Sequence, residues 1–378
     1  MKSIYLLFAF IGLFFNTAAQ VKLRFELKTV PGSKDSVPEF FISGNFNAWN
    51  SKDTAFRFLK IPNGNYMLEK QLMPDRYEFK ITRGSWAKVE TDNKGNAIGN
   101  RILNLHKDTL VKIDILNWAD NFEQATPKHT ASPHVKVLDT AFFIPQLNTK
   151  RRVWIYLPVS YGLIPKKYPV LYMHDGQNLF DESTSSFGEW GIDELLDQLI
   201  ANGGKEWIVV GIDHGGSERL MEYNPYNSKY GKGKGRAYVD FLVHSLKPYI
   251  DRHYRTFKGS KNTAIAGSSM GGLISMYAIA AYPHVFGKAG IFSPAFWLGK
   301  EIEAELKNAG NKLKKHQIYF VAGALEDKSM LSDMQIVYQI LNPTRGNKSI
   351  KLIEKADGEH KEWFWNREFV DFYRFISN

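Results

Sequence analysis

The feature that most constrains the fold is a set of apolar runs that do not alternate with polar residues. These runs lie between residues 168 and 323, and most are followed by a polar or glycine-rich loop and a helical pattern. A strand with apolar residues on both faces is typical of a mainly parallel sheet covered by helices. The pattern therefore predicts an α/β fold with a doubly wound, mainly parallel sheet over residues 135–378.

Residues 21–117 have a different pattern. Short stretches such as VKLRFELKTV alternate apolar and polar residues and are separated by Pro, Gly and Asn. This alternation predicts a small antiparallel, immunoglobulin-like β-sandwich. Residues 118–134 lose the periodicity and contain Pro, Thr and Ser, which predicts a linker. A chain of 378 residues has room for both domains.

The first twenty residues have the order of a secretory signal peptide. Lys2 precedes an apolar stretch over 4–15, and small residues follow before a cleavage site after Ala19 or Gln20. The apolar stretch is too short for a comfortable membrane span. We therefore expect residues 1–20 to be a signal peptide and the mature protein to be secreted or periplasmic, without a membrane anchor.

Composition narrows the kinds of partner. The chain has no cysteine, which excludes disulfides and thiolate metal sites. Its formal net charge is +10, but the lysines are scattered and the one dense cluster, residues 229–236, is short and glycine-rich. We expect no nucleic-acid partner. The oligomeric state is left open.

A serine doublet follows the apolar run at residues 263–267. The nucleophile-elbow pattern Gly-x-Ser-x-Gly is met around Ser269, by Gly267 and Gly271, but not around Ser268. A buried strand before the pattern and a helix after it are the context that such an elbow needs. Ser269 is the predicted nucleophile; the alternative is a glycine-rich corner that only lets strand and helix pack closely.

A base and an acid are expected further along the chain, because this fold has the order Ser, acid, His. Of the histidines after the elbow, His284 and His316 are expected at the surface, whereas His360 lies in a loop after the last predicted strand. Glu326 and Asp327 both follow an apolar run, and we favour Glu326 as the acid, with Asp327 as the alternative.

The oxyanion hole is predicted from two backbone N–H groups. Met270 follows the nucleophile, and Gln177 lies in the loop HDGQN after an earlier strand. The same loop contains a His-Asp pair that could be read with a later Asp-His pair as metal ligands. No established metal-ligand spacing supports that interpretation, so we expect neither a metal nor a cofactor.

Ordered motifs over residues 140–378 resemble a known family. They include YPVLYMHDGQNLFD, AGSSMGGLISMYAIAAYPHVFGKAGIFSPAFW and GALED with DGEH. Together they resemble the putative-esterase group of α/β-hydrolases, which contains esterase D, enterochelin esterases, and feruloyl and acetylxylan esterases. The resemblance implies Ser269 as nucleophile, Glu326 as orienting acid and His360 as general base, with Gln177 and Met270 at the oxyanion hole.

The N-terminal part resembles glycogen- and starch-binding sandwiches. The matching stretches are FFISGNFNAWN, YEFKITRGSWAKVE and GNR. The resemblance implies Trp49 and Trp86 as sugar-stacking aromatics and Asn100 as a weaker polar contact. The alternative is that both tryptophans belong to the core or to a domain interface.

The sequence thus predicts a secreted serine ester hydrolase that acts through an acyl-enzyme on a carbohydrate-linked ester, feruloyl or acetyl. Aromatics expected on loops near the pocket, namely Phe296, Trp297, Trp363 and Trp365, would suit an aromatic acyl group or simply fill the core. Alternatives are a siderophore esterase or an acyltransferase with the same triad. An alternative of another class is a glycan-binding protein with an idle hydrolase fold.

Overall fold

The structure is a computed structural model that describes residues 20–47, 49–122, 128–185, 188–343, 346 and 348–378. The predicted signal peptide lies outside these residues except for Gln20. The chain divides into two compact units between residues 125 and 126, within the segment 118–134 that the sequence predicts as a linker.

The described part of the first unit is all-β, as predicted. Its strands are β1 Val21–Thr29, β2 Phe41–Gly44, β3 Leu59–Lys60, β4 Tyr66–Leu72, β5 Asp75–Thr82, β6 Glu90–Thr91, β7 Arg101–Leu105, β8 Thr109–Asp114 and β9 Asn117–Trp118. They form sheets in the orders β3-β4-β1-β8, β2-β5-β7 and β6-β9.

Alternation along the strands sets which side chains enter the core of this unit. Leu23, Phe25 and Leu27 of β1 are buried, and their neighbours along the strand are more exposed. One expectation is wrong in detail, because β1 and β8 pair in parallel rather than antiparallel. These two strands are separated by most of the unit, so their pairing needs no hairpin and allows the parallel direction.

The second unit is built on one sheet of eight strands. They are β10 Val135–Ile144, β11 Thr149–Tyr156, β12 Val170–His174, β13 Ile208–Ile212, β14 Thr263–Ser268, β15 Lys288–Phe292, β16 Gln317–Gly323 and β17 Ile350–Lys355. Their order is β10-β11-β13-β12-β14-β15-β16-β17, with parallel pairing from β13 to β17 and antiparallel pairing at β10 and β11. The predicted α/β-hydrolase sheet is confirmed.

Helices cover both faces of this sheet. They are α1 Ile192–Ala201, α2 Arg219–Glu222, α3 Gly235–Phe241, α4 Lys247–His253, α5 Met270–Ala281, α6 Ile302–Ala309, α7 Lys328–Leu341 and α8 Glu362–Ser377. One apolar core contains buried residues of α3 to α7, and the other contains those of α1 and α8. Every residue of β12 to β15 is buried, which explains why these strands read as continuous apolar runs.

The sheet brings the chemistry-bearing loops to one edge. In an open α/β sheet, side chains that follow the carboxyl ends of parallel strands meet at that edge. The loops after β12, β14, β16 and β17 carry the predicted oxyanion donor, nucleophile, acid and base. No helix in the described part of the chain has the length and apolar character needed to cross a membrane.

Candidate active site

Ser269 lies in a strained turn between β14 and α5. Its backbone has φ 57° and ψ −118°, a combination that a residue with a side chain rarely adopts. The Ser269 N–H donates to the carbonyl of Phe292, and its side chain makes no capping hydrogen bond with α5. The hydroxyl is therefore presented at the start of the helix instead of being used by it, as a nucleophile elbow requires.

The glycine two residues before Ser269 is required by packing. A Cβ at Gly267 would lie 2.9 Å from Cδ2 of His174 and 3.0 Å from the backbone of Gly271. A Cβ at Gly271 would meet only ordinary contacts, the nearest at 3.4 Å from Cβ of His174. The Gly-x-Ser-x-Gly pattern thus reflects a close approach of strand, helix and His174, and its first glycine is the stricter requirement.

His174 itself has a structural position. It is 1% exposed, its Nδ1 lies 3.0 Å from the hydroxyl of Tyr238, and burial lowers its pKa to about 4. A neutral, fully enclosed imidazole supports the elbow and is not placed to exchange protons with solvent. His316, expected at the surface, is also buried, with Nε2 2.9 Å from the carbonyl of Pro283. That expectation was wrong, because the fold packs His316 against the loop that follows α5.

Glu326 and His360, the predicted acid and base, are in direct contact. Oε2 of Glu326 lies 2.7 Å from Nδ1 of His360, and its Oε1 accepts from the N–H of Gly323 and from the Ser293 hydroxyl, each at 2.7 Å. The Glu326 side chain is fully buried, whereas that of His360 is 39% exposed. Asp327 occupies the N-cap of α7, where it accepts from the N–H of Ser329 at 2.7 Å. Between the two acids left open by the sequence, Glu326 is the one held against the imidazole.

Ser293 and Trp365 support this pair, and neither role was predicted from the sequence. The Ser293 hydroxyl donates to Glu326 and accepts from Nε1 of Trp365 at 2.9 Å, and the Trp365 ring stands edge-on to His360 with centroids 5.0 Å apart. Ser293 has a φ of 43°, uncommon for a residue other than glycine. The only sequence signal was its place directly after the buried run of β15. Trp363 and Trp365 lie on α8 and not on a loop, and Phe296 is buried in the core.

The predicted acid Glu326 is hydrogen-bonded to the predicted base His360, whereas no hydrogen bond joins His360 to Ser269 among the described residues. Within the described residues, the Ser269 hydroxyl has no hydrogen bond, whereas His360 contacts Glu326 through Nδ1. A hydrogen bond from nucleophile to base is often long before substrate binds. The pairing through Nδ1 leaves Nε2 of His360 for the reacting groups.

The loop after β12 has the features of an oxyanion-hole loop. A short 3-10 turn, Gly176–Asn178, follows Asp175, whose backbone is left-handed at φ 58°. A Cβ at Gly176 would lie 2.8 Å from the backbone of Gly211, so only glycine allows the approach. The N–H groups of Gln177 and Met270 both lie in a first helical turn, where intrahelical acceptors are missing.

An ion pair between the buried Asp175 and the partly exposed Arg219 holds the same loop. The carboxylate of Asp175 accepts from Nε and from an Nη of Arg219, both at 2.7 Å. Burial alone would raise the pKa of Asp175. The positive charge and hydrogen bonds of Arg219 have a larger effect and hold the pKa of Asp175 below its ordinary value. A side-chain hydrogen bond also holds this loop to the loop after β13, because Oε1 of Gln177 accepts from the N–H of His214 at 3.2 Å.

The structure does not support the interpretation of the two His/Asp pairs as metal ligands. Among the described residues, no three or more His, Asp or Glu side chains are grouped as a metal ion would need. Asp213 instead accepts from Nε of Arg152 at 2.9 Å and from Nε1 of Trp154 at 2.8 Å.

In the first unit, two of the three residues suggested by the sugar-binding resemblance lie together. The rings of Trp49 and Trp86 are 6.2 Å apart at 39° to each other, and both side chains are half-buried. Asn100 is exposed and donates to Glu78 at 3.1 Å. Each tryptophan ring therefore keeps part of its surface exposed to solvent.

Comparison with known proteins supports the α/β-hydrolase fold and an ester hydrolase activity. A family described as "Putative esterase" matches residues 144–375. An uncharacterised protein, YjcH of Bacillus subtilis strain 168, is 28% identical over 242 residues, which cover 61% of this chain and 92% of that protein. An endo-1,4-beta-xylanase/feruloyl esterase of Xylanibacter ruminicola is 29% identical over 179 residues, covering 45% of this chain and 23% of that protein. The enterobactin esterase of Shigella flexneri, solved with enterobactin, has a TM-score of 0.56 at 16% identity and covers 94% of this chain and 92% of its own. At that identity the likeness supports the fold.

Proposed function

This chain belongs to the putative esterase family of carboxylic ester hydrolases, and from that premise we propose that Ser269, His360 and Glu326 are its catalytic triad. His360 takes the proton of the Ser269 hydroxyl as the oxygen attacks the ester carbonyl, and the N–H groups of Gln177 and Met270 stabilise the oxyanion. Glu326 holds the imidazole in the tautomer with the proton on Nδ1 and stabilises the imidazolium.

Release of the alcohol and hydrolysis of the acyl-enzyme complete the reaction. His360 returns the proton to the alcohol oxygen as the acyl–oxygen bond breaks, which leaves an acyl group on Ser269 and releases the alcohol. Water then attacks the acyl-enzyme with His360 as the base, and the carboxylic acid and free serine are regenerated. No cofactor takes part in this proposal.

The observation that carries the proposal is the buried Glu326 held at 2.7 Å from His360, on the same sheet edge as a strained Ser269. The test is hydrolysis of p-nitrophenyl acetate by the Ser269→Ala variant. Turnover is expected to fall at least about a thousandfold, because the whole acyl-enzyme route is lost. The matched control is Ser268→Ala, which removes the neighbouring hydroxyl at the end of β14 and is expected to retain activity. Equal turnover in the two variants would refute the assignment.

For the substrate, we propose an ester attached to a carbohydrate, with a feruloyl or acetyl group as the acyl part. Support comes from the Trp49–Trp86 pair and from the name of the xylanase/feruloyl esterase relative. Pull-down on insoluble xylan or starch tests the sugar-binding part, with Trp49→Ala as the variant expected to release the protein. A panel of feruloyl, acetyl and siderophore esters tests the acyl part. Faster turnover of the siderophore ester than of every sugar ester would favour the siderophore alternative.

We also propose that the protein is exported. The charged, apolar and small-residue order of residues 1–20 supports this. Mass spectrometry of the protein recovered from the periplasm or medium is expected to give a chain that starts after Ala19 or Gln20. An intact N-terminus on protein from the cell interior would contradict it.

A further inference from the structure

An open cleft of about 560 Å³ lies beside the base of the candidate site. Its lining includes Lys361, Glu362 and Trp363, the three residues that directly follow His360, together with Glu189 and Glu194 from the loop before α1 and from α1. Gly188 also lines the cleft with a φ of 101°, and a Cβ there would lie 3.7 Å from Cβ of Glu362. The positive φ, rather than a lack of space, is what favours glycine at this position.

Glu362 is the buried polar group of the cleft. It is 9% exposed, and its carboxyl group accepts a hydrogen bond from its own backbone N–H in the first turn of α8. It lies within electrostatic reach of His360, Asp175 and Arg219, and burial raises its pKa to about 7. One backbone donor does not use all the acceptor sites of a carboxyl group, so Glu362 can accept a further hydrogen bond from a substrate hydroxyl in the cleft.

The position of the cleft determines which half of an ester it can hold. His360 must lie within hydrogen-bond reach of the alcohol oxygen when it protonates the leaving group. The alcohol half of the ester therefore lies on the side of His360. The cleft is lined by the three residues that follow His360, and its Glu362 interacts electrostatically with His360, which makes it the candidate space for the alcohol.

We propose that this cleft is the alcohol-side subsite and that it takes a neutral, hydroxyl-rich alcohol such as a sugar. The proposal rests on the ester-hydrolase function proposed above. The carboxyl groups of Glu189, Glu194 and Glu362 accept hydrogen bonds from sugar hydroxyls. Trp363, which is 43% exposed, offers an indole for the apolar face of the ring.

Charge makes the proposal specific. Three carboxyl groups line the cleft against one cation, and that cation, Lys361, is already paired with Glu359 at 2.5 Å. Above pH 7, where Glu362 is ionised as well, an alcohol that carries a carboxylate is repelled by the carboxylates of the cleft, whereas a neutral alcohol of the same shape is not. The cleft thus selects neutral sugar esters over esters of acidic sugars and over anionic siderophores.

The test uses two esters that differ only in charge, the 3-O-acyl esters of methyl β-D-glucopyranoside and of methyl β-D-glucopyranosiduronic acid. The acyl group is the one that the protein removes faster from p-nitrophenol. At pH 8 and low salt, the wild-type protein is expected to have a higher kcat/KM for the neutral ester. Glu194→Gln is expected to narrow this ratio about three- to tenfold, and the effect shrinks in high salt. Glu354→Gln, on the exposed side of the edge strand β17, is the matched control that leaves the ratio unchanged.

A second measurement does not depend on turnover. Methyl β-D-glucopyranoside and methyl β-D-glucopyranosiduronic acid are each titrated into the Ser269→Ala protein in a calorimeter. The neutral sugar is expected to bind more tightly, and Trp363→Ala is expected to weaken its binding about tenfold. An unchanged charge ratio in Glu194→Gln, or binding of the uronic acid as tight as that of the neutral sugar, overturns the subsite. Loss of the proposed function has a different signature, namely no difference between wild type and Ser269→Ala on p-nitrophenyl acetate.

Discussion

Replacing Glu326 by Gln is expected to inactivate the protein while leaving it folded. Oε1 of Glu326 accepts from the N–H of Gly323 and the hydroxyl of Ser293, so a Gln keeps its oxygen toward these two donors. Its NH2 group then faces Nδ1 of His360, and Nδ1 has to accept. The ring proton moves to Nε2, and the imidazole can no longer take a proton from Ser269.

The size of the effect follows from the geometry. Oε2 of Glu326 and Nδ1 of His360 are 2.7 Å apart, and the Glu326 side chain is fully buried. With charge centres ~4 Å apart at an effective dielectric constant of about 20, the carboxylate stabilises an imidazolium by about 4 kcal/mol, or about a thousandfold in rate. Loss of the acid in serine triads lowers kcat by about ten-thousandfold. We expect kcat to fall between these limits, with KM nearly unchanged.

The assay is hydrolysis of p-nitrophenyl acetate, with kcat and KM measured separately and folding followed by circular dichroism. The matched control is Asp327→Asn, because Asp327 caps α7 and Asn is an equally good N-cap. This control is expected to keep wild-type turnover. The reasoning is refuted if Glu326→Gln retains more than a tenth of kcat, or if Asp327→Asn loses as much.

Three further predictions concern the groups around the reacting atoms. Gly267→Ala places a Cβ 2.9 Å from His174, and the overpacking is expected to cost about 1–3 kcal/mol and to lower Tm. Arg219→Met leaves the buried Asp175 unpaired and is expected to cost about 3–5 kcal/mol in unfolding experiments, part of which Arg219→Lys recovers. Because burial raises the pKa of Glu362 from 4.5 to about 7, the folded state binds its proton more tightly than the unfolded state. The free energy of unfolding therefore falls by about 3 kcal/mol as the pH rises from 4.5 to 7. Glu362→Gln is expected to remove that part of the pH dependence of Tm.

Each of these predictions has a result that contradicts it. An unchanged Tm for Gly267→Ala would mean that strand and helix can separate without cost. Equal stability of Arg219→Met and wild type would mean that Asp175 takes up a proton or reaches solvent. If Tm changes with pH in Glu362→Gln as it does in the wild-type protein, the titrating group is not Glu362. Glu354→Gln is the exposed control for this measurement.

The elbow could be predicted from the sequence because its determinants are local. Gly267, Ser269 and Gly271 are separated by only a few residues, and their spacing describes one tight turn. The continuous apolar runs similarly predicted the sheet, because a strand buried on both faces has few polar positions. The acid was less certain, since Glu326 and Asp327 are neighbours and the turn after β16 decides which of them faces His360.

The supporting residues could not be predicted, because they meet only through the fold. Ser293 and Trp365 are 72 residues apart in the chain, and nothing in either local pattern indicates the hydrogen bond between them. Helix α8 was missed as an element because it is rich in Trp, Phe and Tyr, which have modest helix propensity. Its buried face against the sheet stabilises it instead, and that face became visible only with the tertiary structure.

The strained backbone of Ser269 also bears on how such a protein would change once its reaction is no longer needed. A non-glycine residue at φ 57° and ψ −118° costs the fold roughly 1–3 kcal/mol, a cost that the proposed role of Ser269 as nucleophile explains. Without selection for turnover, a mutation to glycine at this position would relax the turn and be retained. Among descendants of this chain, glycine in place of Ser269 would mark the lineages that kept the scaffold and gave up the chemistry.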